Sequence, residues 1–355
     1  MNATKALLAR QEWIGQIKKN KMAVAAINTY AAAYVPRHIK SEIKTNAAVA
    51  GVPYFDVLCS NLAYETAMIS CSLNEGLASD FWKGLAGLKA TRFGCTSFGI
   101  WEMVDGPFMN DCQFTSQVLH ARNLDWQDPD GLLAKHTKVV KMPSRFPKIG
   151  FLASTFGETR GFPEHFYSVT FPGYSGILTG VAPKRFSVAL NAVWNDDGVG
   201  LGAAPTLLLR QALETCEDYY DAIKLLSRTR LVCGAMFTVV DGRPMVGGPS
   251  PRAVVIERTT GKYAIRKPVE VREGVFVVCA TNNFQIIGKE PIKGGGSDIG
   301  ETSCQRHKTV MEEAAKLPED FGVEDVRAIL DKVRLSCTIH SLVVDPVFDE
   351  VDVRR

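Results

Sequence analysis

Apolar residues recur at helical spacing through the first ninety or so positions. Leu7, Trp13, Ile14 and Ile17 fall close to one helical face, and the Ala-rich stretch Met22–Val35 favours helix until Pro36 ends it. Beyond about position 90 the texture changes to short β-branched and aromatic runs. Val118–Ala121, Tyr167–Phe171, Arg185–Leu190, Met236–Val240, Ala253–Ile256 and Val275–Ala280 read as strands. Two helical blocks interrupt them. One runs from Pro205 to about Leu226, and the other from Gln305 to about Val333 with a break near Pro318. A last strand covers Cys337–Val344. Strands, helices, strands, helices and a closing strand predict a layered α+β architecture.

Composition narrows the class. Of 355 residues, 46% are hydrophobic and 22% charged, as in ordinary globular chains, which excludes disordered, collagen-like and coiled-coil classes. Forty-one basic against 38 acidic residues leave a net charge of +3 without a basic tract, so no nucleic-acid partner is expected. The apolar stretch Met22–Val35 contains Asn28 and Thr29 and is too short to span a bilayer, so no transmembrane segment is expected. Leu7–Ala9 is interrupted by Arg10, Gln11 and Glu12 before a signal-peptide core develops. The expectation is a cytoplasmic protein, unless an export signal has been trimmed. Nine widely scattered cysteines form no CxxC or Cys/His cluster and read as reduced, buried thiols. No metal and no cofactor is expected. Gly198–Gly202 has the wrong spacing for a dinucleotide loop and follows Asp196-Asp197, which would repel phosphate. Gly294–Ser297 reads as a loop, as does Met103–Gln117 with its Gly106-Pro107 and Asn110-Asp111 turn signals.

The informative segment is Phe93-Gly94-Cys95-Thr96-Ser97, followed downstream by His120-Ala121-Arg122-Asn123-Leu124-Asp125-Trp126. Taken alone, Cys95 is one of nine core cysteines. With a small residue before Cys-Thr-Ser and Arg-Asn-x-Asp after it, the pattern resembles the N-terminal-nucleophile cysteine hydrolases related to acid ceramidase and N-acylethanolamine acid amidase. Bile-salt (choloylglycine) hydrolases, penicillin V acylases and isopenicillin-N acyltransferases are the more distant branches. Asn61-Leu62-Ala63-Tyr64-Glu65, Phe171-Pro172-Gly173-Tyr174 with Leu178-Thr179-Gly180, Phe186–Asn191, Thr281-Asn282-Asn283, Ser303 and Arg306 are similar to further family motifs in the same order.

The resemblance implies a four-layer αββα sandwich and self-cleavage at Gly94–Cys95. Residues 1–94 would form a helical α-chain and 95–355 the catalytic β-chain, an α/β heterodimer within one composite domain; a homo-oligomer is left open. Cys95 would be the nucleophile, its freed α-amino group, with a pKa of about 8, serving as general base, so that no histidine is needed. Arg122 would stabilise the thiolate and Asp125 orient the amine. Asn282 would donate to the oxyanion, and Arg306 would bridge Asp125 or the substrate carbonyl. Asn191, Trp126, Tyr174 and Trp194, with Phe98 and Phe171, would line a pocket for an apolar acyl chain. The implied reaction is hydrolysis of a linear N-acyl amide, a small-molecule substrate, through a thioester. The alternatives are an isopenicillin-N-type acyltransferase, a penicillin V acylase or bile-salt hydrolase, and a catalytically silent binding protein. Ceramidase-like members carry an acid where this chain has Ala192.

Overall fold

The structure, a computed structural model, describes residues 2–9, 11–72, 93–105, 113–128, 130–145, 164–193, 198–243, 251–288, 302–348 and 351–355. Trp194, Asp196, Asp197 and Gly294–Ser297 lie outside them. Six helices come first: α1 Ala3–Leu8, α2 Glu12–Lys19, α3 Lys21–Tyr34, α4 Arg37–Ala50, α5 Tyr54–Asn61 and α6 Ala63–Ser72. Asn20 starts α3 by accepting from the Met22 and Ala23 amides. Gly51, at φ 64°, ends α4 in the left-handed conformation that favours glycine. Ile39, Ile43, Ala47 and Ala50 form the buried stripe of α4, the three-and-four spacing that puts them on one face.

Two antiparallel sheets follow. The first has the order β10-β11-β1-β2-β12-β13, built from β1 Phe93–Asp105, β2 Gln113–Trp126, β10 Val269–Arg272, β11 Val275–Ala280, β12 Thr338–Val344 and β13 Val353–Arg354. The second has the order β3-β4-β5-β6-β7-β8-β9, from β3 Lys138–Pro143, β4 His165–Thr170, β5 Thr179–Ala182, β6 Phe186–Asn191, β7 Ala235–Asp241, β8 Ala253–Arg258 and β9 Tyr263–Arg266. A short helix, α7 Leu132–His136, precedes β3. The sheets pack face to face through Trp101, Val118, Met236, Val240, Ala253 and Val278. Gly99 lets them approach closely, since a Cβ there would lie 2.4 Å from the Ala253 side chain.

Helices cover both outer faces. α8 Pro205–Thr215 and α9 Tyr219–Arg228 pack on the second sheet, through Leu208, Leu209, Ala212 and Leu226. α10 Ser303–Ala314 and α11 Val323–Lys332 pack on the first, through Val310, Ala314, Val326 and Leu330 against Phe98, Ile100, Leu119 and Ala121. This is the four-layer αββα sandwich. Enclosure on both faces explains why β6, β7 and β8 are buried at every position instead of alternating. The N-terminal helices are tied to this body by polar contacts as well as apolar ones. Asn61 Nδ2 donates to the Gly173 carbonyl at 2.8 Å, and Arg210 pairs with Glu42 of α4 at 2.6 Å.

Four expectations need correction. Met103–Gln117 is mostly strand: β1 and β2 stay paired out to Asp105 and Gln113, leaving only 106–112 between them. The alternation that marks a strand is weak where turn residues are interspersed, and this hid the pairing. The Pro205–Leu226 block is two helices, because Cys216 leaves the helical conformation and Asp218 caps a new start. Phe98 faces α10 and α11, away from Cys95, since successive strand residues alternate faces. Cys304 is exposed rather than buried.

Candidate active site

Cys95 is the third residue of β1, and β1 lies between β2 and β11 in the sheet. Register puts Gly94 opposite Asp125 and Cys95 opposite Leu124 on β2. Arg122 and Asp125 are three residues apart on that strand, so their side chains leave opposite faces of the sheet. On the inner face, Arg122 Nη2 lies 3.0 Å from Cys95 Sγ and donates to the Leu190 carbonyl at 2.7 Å. On the helix side, Thr338 Oγ1 donates to Asp125 Oδ1 at 2.5 Å. The second oxygen, Asp125 Oδ2, is buried without a hydrogen-bond partner among the described residues.

Asn282, just past the end of β11, meets the backbone of Cys95 edge-on. Its Oδ1 accepts from the Cys95 amide at 3.1 Å and from Arg306 Nη2 at 2.8 Å, while its Nδ2 donates to the Ala192 carbonyl at 2.8 Å. Arg306 projects from the first turn of α10. Its Nη1 donates to the Cys95 carbonyl at 2.7 Å and to Thr96 Oγ1 at 2.8 Å. Arg306 therefore holds the Cys95 backbone and polarises the Asn282 amide. Ser303, one turn earlier on the same helix, accepts from the Asn282 backbone amide at 2.9 Å and fixes where that residue sits.

Asn191 was expected at the substrate. Its amide is instead fully engaged inside the protein. Oδ1 accepts from Arg122 Nη1 at 2.8 Å and from Ser97 Oγ at 2.7 Å, and Nδ2 donates to the Ala280 and Thr281 carbonyls at 3.0 Å each. Four bonds saturate a carboxamide, so Asn191 orients Arg122 and presents no free polar atom. Trp126 and Tyr174 are buried in the same core cluster as Cys95, and Phe171 joins them with ring centroids 5.9 and 4.9 Å apart. Trp194 lies outside the described residues. Thr338 and Ser97 were not singled out from sequence, because a hydroxyl that steadies another side chain carries no spacing of its own.

Electrostatics follow the burial. Burial pushes the Cys95 thiol up, with Arg122 pulling it down and Asp125 adding to the rise. Burial also pushes the Asp125 carboxyl up, opposed by the Thr338 hydrogen bond and the charges of Arg306 and Arg122. His120 stands between the sheets, bonded through Nδ1 to Ser187 Oγ at 2.8 Å and pressed down to about 3 by burial. The Arg122 charge adds to this lowering. Among the described residues no three His, Cys, Asp or Glu side chains gather as a metal site, and no helix is long and apolar enough to cross a membrane.

No protein-family model matches the chain. It is 30% identical over 228 residues to the N-acylethanolamine-hydrolyzing acid amidase of Mus musculus, covering 61% of this chain and 52% of the amidase. It is 25% identical over 321 residues to the acid ceramidase of Bos taurus, covering 87% of this chain and 68% of the ceramidase. The chain is thus similar to acid amidases and acid ceramidases over much of its length. The match spans about half the length of the mouse amidase. Among solved structures, a Caenorhabditis elegans N-acylethanolamine-hydrolyzing acid amidase ortholog aligns at 22% identity and a TM-score of 0.49, covering 72% of this chain and 94% of that one.

Proposed function

We propose that this protein is a cysteine amidase that hydrolyses a linear N-acyl amide through a thioester on Cys95, after cutting its own chain at Gly94–Cys95. The observation that carries this reading is the guanidinium of Arg122 at 3.0 Å from a buried thiol that directly follows a glycine. In the uncut chain Cys95 Sγ attacks the Gly94 carbonyl, the acyl group moves from nitrogen to sulfur, and water hydrolyses the thioester. Gly94 leaves as a carboxylate, and Cys95 gains a free amine. That nitrogen already donates to Asn282 Oδ1, and Asp125, opposite the preceding Gly94 in register, carries an unpartnered acceptor in Oδ2 among the described residues. The amine then takes the thiol proton in turnover. Arg122 stabilises the thiolate, and Asn282 Nδ2, polarised by Arg306, donates to the tetrahedral oxyanion.

The acyl group is proposed to be apolar and of medium or long length, because Cys95 belongs to the same buried apolar cluster as Trp126, Phe171 and Tyr174. Each buried methylene adds about 0.8 kcal/mol, which favours a fatty acyl group over acetyl. A chain-length series of one fluorogenic amide tests this. The expected result is kcat/KM rising with acyl length and lost entirely in Cys95→Ala. A flat response, or preference for phenoxyacetyl or steroid acyl groups, contradicts the acyl assignment, and turnover by Cys95→Ala contradicts the mechanism.

A further inference from the structure

Glu257 on β8 and Arg266 on β9 form a buried ion pair, and neither residue falls in the motifs that resemble the cysteine hydrolases. The pair belongs to the second sheet, yet it holds chain that belongs to the first. Arg266 Nη1 donates to the Cys279 carbonyl on β11, and its Nε donates to Glu257 Oε1 at 3.1 Å. The Glu257 carboxylate also accepts from three consecutive backbone amides. Gln285 donates to Oε1 at 2.8 Å, and Ile286 and Ile287 donate to Oε2 at 2.9 and 3.0 Å. Successive N–H groups that converge on one anion form a nest. Asn282 lies midway between the two attachments, Cys279 before it and Gln285 after it.

The clamp suits what the bend has to do. Strand β11 ends at Ala280, so Asn282 has no ladder to fix it, and its place depends on individual bonds to the chain around it. Its carboxamide must meet the Cys95 amide, Arg306 Nη2 and the Ala192 carbonyl at once. Ser303 holds the Asn282 amide from the helix side, while Arg266 and Glu257 hold the two flanks from the opposite sheet. Burial pushes the Glu257 carboxyl up, but the Arg266 charge and the loop amides outweigh it and keep the group below the usual carboxylate range. An ionised acceptor binds amides about twice as strongly as a neutral one.

We propose that Glu257, held by Arg266, is a positioning residue for Asn282: it fixes the bend 279–287 so that the Asn282 carboxamide meets the reacting centre at Cys95. The proposal rests on the oxyanion role given to Asn282 above. Misplacing a reacting group by about 1 Å can cost about 10²-fold in rate, so a bend this close to Cys95 has to be held firmly. Glu257→Gln loosens it with little change of shape. A carboxamide has one acceptor oxygen, so in one orientation its NH2 group meets the Ile286 and Ile287 amides, and in the other the Gln285 amide and Arg266.

A double-mutant cycle in steady-state kinetics on the matured full-length protein tests the role. Glu257→Gln should lower kcat by about 10- to 10²-fold while KM moves by less than about twofold. Added to Asn282→Ala, it should cost less than about twofold more, because the residue through which it acts is gone. Wild-type hydrogen exchange carries the test if the variant does not fold or mature. The amides of residues 285–287 should exchange at least about tenfold more slowly than those of an open loop, although Gln285 and Ile286 are exposed. An unchanged kcat in Glu257→Gln, an equal loss in both backgrounds, or open-loop exchange at 285–287 overturns the positioning role and leaves Asn282 in place. Near-normal turnover in Asn282→Ala instead removes the oxyanion donor, and the positioning role with it.

Discussion

Asp125 and Glu65 are two carboxyls with one problem and different neighbours. Each is buried, each has one oxygen held by a threonine, and each has a second oxygen without a partner among the described residues. Around Asp125 stand the charges of Arg122 and Arg306, a thiol and the backbone of Gly94. Around Glu65 stand Thr206, the Tyr30, Tyr64 and Tyr174 phenols and the Cys233 thiol, with no ion-pair partner among the described residues. An orphaned carboxylate oxygen therefore does not by itself indicate one function; the groups within reach decide it. The proposed partner of Asp125 is an amine made by the chain's own cleavage, whereas burial among uncharged groups raises the Glu65 carboxyl to about 7.

The strongest way to break this comparison is to neutralise Asp125. Asp125→Asn leaves the freed amine with Asn282 Oδ1 alone, so self-cleavage should slow and kcat should fall at least about 10²-fold. Asn282→Ala removes the proposed oxyanion donor and should lower kcat by about 10²–10³-fold with little change in KM. Steady-state kinetics on matured protein read both. Near-normal turnover in either variant removes that residue from the mechanism.

A smaller effect sharpens the contrast through pH. The Glu65 carboxyl, pushed from 4.5 up to about 7, holds a proton in the folded state that the unfolded chain releases, so its contribution to stability falls as pH rises through that window. His120 and His340, pressed from 6.5 down to about 3 by burial, act in the opposite sense, since the unfolded chain takes up protons that the folded one refuses. Their contribution is present above about 6.5 and is lost as pH falls. The two trends overlap, and the variant separates them. In a Cys95→Ala background, Glu65→Gln should steepen the rise in stability from about pH 5 to about pH 7 by about 2 kcal/mol. Identical slopes by denaturant unfolding would show that Glu65 is not held protonated.

Much of the sandwich was legible in the sequence because its buried strands are unbroken apolar runs. Phe186–Asn191 and Val275–Ala280 read as strands and are strands. Edge strands such as β3, β9 and β10 were missed, since partly exposed positions with lysine and glutamate carry no such run. At the site, motif order brought out Cys95, Arg122, Asp125, Asn282 and Arg306; in the structure Arg122, Asn282 and Arg306 bond to Cys95, and Asp125 lies opposite Gly94. The facing of Phe98 and the saturation of Asn191 were not legible. The first depends on which face of β1 meets the helices, and the second on carbonyls contributed by Ala280 and Thr281 far along the chain. Glu65 sat in a quoted motif, but only tertiary packing reveals that its carboxyl caps α8 through Thr206.

The central claim is that Cys95 cuts the bond in front of it and then turns over substrate from the new N-terminus. Intact-mass spectrometry of the purified wild-type and Cys95→Ala proteins, taken alongside an amidase assay on the same samples, tests it most directly. The account predicts that the wild type resolves into two species with the masses of residues 1–94 and 95–355 as activity appears. Cys95→Ala should stay a single inactive chain of 355 residues. A wild-type protein that is fully active while still uncut would contradict it.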